Sequence, residues 1–235
     1  MSKQNNNPLL ILTAIALITG VGLIAANKNP GSAINSPGSA SCIDPNCALA
    51  EDKGEYIYIS LQPNNAELAL LTDDLLYEFS RQAKKDQIYD LDLLNGDRIE
   101  AFFKGKLDRQ VIKGIRKDFD ANPNTVEIDP TFSSNRALVQ GVNRLVGLAT
   151  ANAEKHHFKA VIVTPGTSDP DTIARIQEIS QRLADSGKAE NVRIYLVGLD
   201  PAHRIKTMSA FHPLAANTSS ATASYSEWSR LLRKL

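Results

Sequence analysis

Two rhythms of apolar residues alternate along the chain after about residue 55. Short apolar or period-two runs predict strands at Tyr56–Leu61, Ile88–Leu94, Ile99–Phe103, Lys159–Thr164 and Val192–Leu199. Between them apolar residues return every third or fourth position. They do so at Leu68, Leu71, Leu75, Leu76, Phe79 and Ala83, and again at Val111, Ile112, Ile115 and Phe119. The same spacing recurs at Leu138, Val142, Leu145, Val146 and Ala149, and at Ile173, Ile176, Ile179 and Leu183. Each set predicts an amphipathic helix. Asn64-Asn65 and Ser133-Ser134-Asn135 supply helix caps. Asn95-Gly96 is a turn signal that makes Ile99–Phe103 the second arm of a hairpin on an antiparallel edge. Pro201 to Phe211 reads as a short helix, Ala215 to Ser224 as the place of a last edge strand, and Ser226 to Leu235 as a closing helix.

The runs Ala160-Val161-Ile162-Val163 and Ile194-Tyr195-Leu196-Val197 are too apolar to alternate, as strands covered on both faces are. Strands alternating with helices then predict an α/β fold, a three-layer α/β/α doubly wound and mostly parallel sheet with right-handed crossovers. Ligands of such sheets bind beyond the carboxyl ends of the strands, at the switch point. That places the loops of interest at 62–66, 131–135, 164–169 and 200–203.

The front of the chain is different. Pro8 to Ala26 holds no charged residue and, as a helix, would be roughly 28 Å long, close to the ~30 Å of a bilayer's hydrocarbon core. Residues 1–26 are therefore expected to be a membrane segment. Its length favours a retained single-pass anchor with the domain on the extracytoplasmic side; Ile24-Ala25-Ala26 offers cleavage and secretion as the alternative. Residues 27–50 are rich in Asn, Gly, Ser, Pro and Ala and read as a flexible linker. The linker carries the only two cysteines, Cys42 and Cys47, around an Asp-Pro-Asn turn, and an exported chain could join them. The globular part is residues 51–235.

Charge narrows the function. Of 235 residues, 26 are Lys or Arg and 26 are Asp or Glu, so the excess positive charge that carries sequence-independent nucleic-acid binding is missing. Two cysteines are too few for a disulfide framework. No nucleophile elbow, phosphate loop, dinucleotide fingerprint or His-Glu-x-x-His sequence occurs. Asp90 and Asp92 share one strand face and are expected to point to solvent or toward a neighbouring basic side chain. The cluster Lys104, Lys106, Arg109, Lys113, Arg116 and Lys117 is diluted by Asp108, Asp118 and Asp120 and reads as a solvated helix face. His203 sits where it could edge the loop face.

Three features resemble von Willebrand factor type A domains across roughly residues 55–235: the opening apolar strand with its polar loop and long helix, the Ser-Ser-Asn loop running into Arg136-Ala137-Leu138-Val139-Gln140-Gly141-Val142, and the paired strands at 160–164 and 192–199. Members of that family that bind Mg²⁺ use an Asp-x-Ser-x-Ser signature, a Thr and a further Asp, completed by a partner's carboxylate. Carried onto this chain, that metal-ion-dependent adhesion site is degenerate. Gln62 stands for the Asp, Asn64 for the first Ser, Ala66 for the second, Ser134 for the Thr and Pro165 for the last Asp, with Asp169 four residues on. Amides are poor ligands for a cation that dehydrates reluctantly, so no tight metal site and no cofactor are expected; the weak candidates are Ser60, Asn64, Ser134 and Asp169. The resemblance implies a membrane-tethered protein-interaction module whose loop face, with Gln62, Asn64, Ser134, Asn135, Asp169 and His203, meets a protein partner. The alternative is a small exported hydrolase or ligand-binding enzyme working at the same loops.

Overall fold

A computed structural model describes residues 53–62, 66–84, 86–95, 98–121 and 133–233. The expected membrane segment, the linker, Cys42, Cys47 and Asn64 lie outside the described residues. Among the described residues no helix is long and apolar enough to cross a membrane.

The described residues fall in one compact unit, Ala50–Leu235. Its six-stranded sheet has β1 (Glu55–Leu61) at the centre, flanked by β2 (Ile88–Asn95) and β4 (His157–Val163). Outward from these lie β3 (Arg98–Gly105) on one side and β5 (Val192–Val197) then β6 (Thr218–Ala221) on the other, giving the order β3-β2-β1-β4-β5-β6. Every neighbouring pair is parallel except β2 and β3, the hairpin expected from Asn95-Gly96. The order reverses direction at β1 and β4, so the loops after these two strands open side by side at the switch point.

Helices cover both faces, and period-two alternation decides which residues meet them. Tyr56 and Tyr58 of β1, with Phe158, Ala160 and Ile162 of β4, face a core under α3 (Ser134–Asn152) and α4 (Pro170–Asp185), closed by Phe211 after α5 (Pro201–Ala210). Ile57, Ile59 and Leu61 face the opposite core, under α1 (Ala66–Gln82), α2 (Arg109–Ala121) and α6 (Tyr225–Leu232), where the single tryptophan, Trp228, is buried.

Two expected elements are shorter than their sequence signals. The strand expected at 192–199 stops at Val197 because Gly198 turns the chain with φ +87°. The stretch from 215 to 224 yields only the four residues of β6, because His212–Asn217 first coils into a 3₁₀ helix.

Candidate functional site

The loop face is assembled from helix starts. Ser133 caps α3, accepting a hydrogen bond from the Arg136 amide at 3.4 Å, so Ser134 and Asn135 occupy the first helical turn. Asp169 caps α4, accepting from the Thr172 amide at 2.9 Å and the Thr172 hydroxyl at 2.5 Å, and Pro170 opens the helix where a missing N–H costs nothing. Those bonds, the hydroxyl's first, hold the Asp169 carboxyl below its usual range. Asp200 caps α5 through the Ala202 amide at 2.8 Å.

Gln62 follows β1 and is fully buried. Its Nε2 donates to the Ser134 carbonyl at 3.0 Å, tying the end of the central strand to the start of α3. Ser60, two residues earlier on the same strand face, is also fully buried; it lies beneath α3 rather than at the loop rim.

The loop at 164–169 is bolted to α5. The Thr207 hydroxyl accepts from the Thr167 amide at 2.8 Å and donates to the Thr167 carbonyl at 3.0 Å. Ser168 Oγ meets His203 Nδ1 at 2.7 Å, and the Asp200 amide donates to the Pro165 carbonyl at 2.9 Å. The structure therefore groups Asp169 and His203 around one rigid loop, while Ser134 and Asn135 stand across from it on α3.

Between the starts of α3 and α4 lies a cleft of about 430 Å³. Asn135, Arg136 and Gln140 line it from α3, Asp169, Asp171 and Arg175 from the α4 side. Its surface is mixed in charge and rich in donors. Gln62 and His203 do not line it. Among the described residues no three His, Cys, Asp or Glu side chains gather in the manner of a metal cage.

A second polar constellation lies beneath α3. Of the two orientations expected for Asp90 and Asp92 the structure shows the second: both are buried on the face that α3 covers, each beside a basic side chain. Asp90 accepts from the Tyr56 hydroxyl at 2.5 Å and lies 3.5 Å from Lys104 Nζ. Asp92 accepts from Arg144 Nε at 3.2 Å. Lys104 thus belongs to a strand and an ion pair, not to a solvated helix face. Burial pushes the Asp92 carboxyl up; the hydrogen bond and charge of Arg144 pull it back, and Asp90 adds to the rise. The sequence signal lay in the hydroxyls: Tyr56, Tyr58 and Ser60 alternate along one face of a central strand, where apolar residues were due.

No family model matches the chain, and no curated protein matches it. Among solved structures it is similar to proximal thread matrix protein 1 from the mussel byssus, described with a zinc-occupied MIDAS motif, at 14% identity and a TM-score of 0.46 over 78% of this chain and 47% of that one. It is also similar to the VWA domain of SpRpn10, at 11% identity and a TM-score of 0.44 over 77% of this chain and 95% of that one. The chain spans about half the length of the mussel protein.

Proposed function

We propose that this chain is a membrane-tethered protein-interaction module that engages its partner at the loop face, in the cleft between α3 and α4, without a tightly held divalent cation. The observation that carries this reading is the Gln62 amide on the Ser134 carbonyl. A neutral hydrogen bond joins the β1 end to the α3 start, a task a cation bridging two loops could otherwise perform. The remaining donors support the same reading. Asp169 is engaged as a helix cap, and Ser60 is enclosed beneath α3. Arg136 and Arg175 line the cleft with Asp169 and Asp171, so its carboxylates already share it with two cationic side chains.

The test is capture of partners from solubilised membranes with the full chain, with Mg²⁺ in one arm and EDTA in the other. Equal capture in both, lost in an Arg136→Glu/Arg175→Glu variant, is the expected result. Capture abolished by EDTA sinks the metal-free reading, and capture indifferent to the double variant sinks the cleft.

One contact favours a hydrolase as the second reading: Ser168 Oγ and His203 Nδ1 stand 2.7 Å apart, the reach of a nucleophile and its base. Neither residue lines the cleft, and no acid orients the second imidazole nitrogen among the described residues. Covalent labelling of Ser168 by a fluorophosphonate, abolished in His203→Ala, would establish that reading in place of the first.

A further inference from the structure

We propose that α2 is a lipid-facing helix, whose basic face rests on a bilayer surface bearing anionic headgroups and so turns the cleft between α3 and α4 away from the membrane. It rests on the membrane-tethered reading, and the surface it uses lies outside the partner site.

The helix is built with two faces. Leu107, just before it, and Ile112 and Ile115 are buried in the core shared with α1 and α6, and Val111 packs against that core. At 3.6 residues per turn, Arg109, Lys113, Arg116 and Lys117 fall together along another face. Lys113 and Lys117 are exposed, as is Lys106 ahead of the helix. Among the described residues none of these three lysines has an acid within ion-pair reach. The acids that dilute the cluster in sequence are set apart from it by the fold. Asp108 is the cap of α2, its Oδ1 accepting from the Gln110 and Val111 amides, both at 2.8 Å. Asp118 falls on the flank opposite Arg109, and Asp120 alone returns to the basic face, at its carboxyl end.

Like charges three and four residues apart repel along a helix, and Arg109–Lys113, Lys113–Arg116 and Lys113–Lys117 do so in succession. An array of anions offsets that repulsion. Its shape is extended, because neither the cleft nor the smaller hollow beside Trp228 takes a lining residue from α2. Lysine ammonium groups are hydrated point charges on long stems, suited to a diffuse plane of phosphates more than to one forked contact. Placement selects a bilayer among extended anions. The core under α2 lies on the opposite side of the sheet from the core under α3 and α4, so a membrane on α2 leaves the cleft open to solvent. Gly105, where β3 hands over to α2, stands level with Tyr89 and through it with Ile57, near the start of β1. The basic face thus begins at the end of the sheet where the chain enters the domain. Net charge is zero over the whole chain, so the attraction belongs to this face alone.

Brief acetylation of lysines, read residue by residue by mass spectrometry, tests this on the full chain reconstituted in vesicles. One set holds phosphatidylcholine alone, the other phosphatidylcholine with phosphatidylglycerol. The expected result is that Lys113 and Lys117 react about fivefold more slowly in the anionic vesicles, while Lys206, exposed on α5, does not change. Salt at about 1 M should erase the difference, since the Debye length falls to about 3 Å. In Lys113→Glu/Lys117→Glu, two surface changes that leave the core intact, Lys106 should lose whatever protection the anionic lipid gives it in the parent. Equal rates for Lys113 and Lys117 in both vesicles, slowing that Lys206 shares, or slowing that survives high salt would each overturn the lipid contact. The tether is read separately, from flotation with the phosphatidylcholine vesicles, to which the basic face contributes nothing. A chain that floats without lysine protection loses only the α2 contact; one that fails to float loses the tether, and its lysine rates beside anionic vesicles still decide α2.

Discussion

Gly141 of α3 lies against Ser60 of β1 so closely that a Cβ would stand 2.9 Å from Ser60 Oγ and 3.1 Å from Leu94 Cδ1. The helix can approach the sheet only because a hydrogen occupies that position. Gly141→Ala gains about 1 kcal/mol of helix propensity, yet overpacking a closed core costs about 1–3 kcal/mol. The expected outcome is a net loss of stability, seen as an earlier denaturant midpoint with an unchanged slope.

Arg144→Met should destabilise by about 1–3 kcal/mol at neutral pH, less than a fully buried pair because the guanidinium is partly solvated. The sign with pH follows from the raised carboxyl of Asp92. The folded state binds that proton more tightly than the unfolded chain, so Asp92 weighs against stability at neutral pH, and the weight lifts as pH falls through its folded value. The cost of Arg144→Met should therefore shrink on acidification. A cost constant from neutral to acid pH would place the titration elsewhere.

Glu55 works in the opposite direction. Burial raises its carboxyl, but the hydrogen bonds from Lys159 and Gln87 and the charge of Lys159 outweigh burial and hold it low. Its contribution is present above the unfolded value of about 4.3 and is lost as pH falls through the folded one. Glu55→Gln should flatten the acid limb of a stability-against-pH curve while leaving the Arg144→Met dependence intact.

Gly166 has φ +83°, and a Cβ there would lie 2.5 Å from Thr207 Oγ1. Gly166→Ala adds left-handed strain of about 1 kcal/mol or more to a collision with the hydroxyl that fastens the loop at 164–169 to α5. A stability loss of about 2–4 kcal/mol is expected, together with loss of the Ser168–His203 contact, which the His203 imidazole resonances would report.

The sheet was legible in the sequence because its signals are local. Apolar runs mark β1, β4 and β5, Asn95-Gly96 marks the hairpin, and Ser133 and Asp169 mark the starts of α3 and α4. A basic neighbour for Asp90 and Asp92 was legible as one of two alternatives, but the choice between them was not, because the ion partner of Asp92 is far away in sequence. Asp92 and Arg144 are 52 residues apart, and which face of β2 is covered depends on where α3 lands. An acid on an alternating strand reads as solvent-facing or paired with a base alike when nothing local announces the helix above it. The Ser168–His203 contact escaped for the same reason, with 35 residues between them. The start of α5 was legible but its role as anchor for the neighbouring loop was not, since Thr207 gives no signal until Gly166 is seen against it.

The sole tryptophan, Trp228, belongs to α6 and is buried on the opposite side of the sheet from Asp90, Asp92 and Arg144. Its emission thus reports the α1–α6 half of the molecule, and the tyrosines Tyr56 and Tyr58 belong to the other half. Fluorescence excited at the indole's red edge should pass through a local event beneath α3 unchanged and respond only when the sheet itself comes apart. The molecule thereby carries an optical means of telling a loosened helix from an unfolded protein, with no label added.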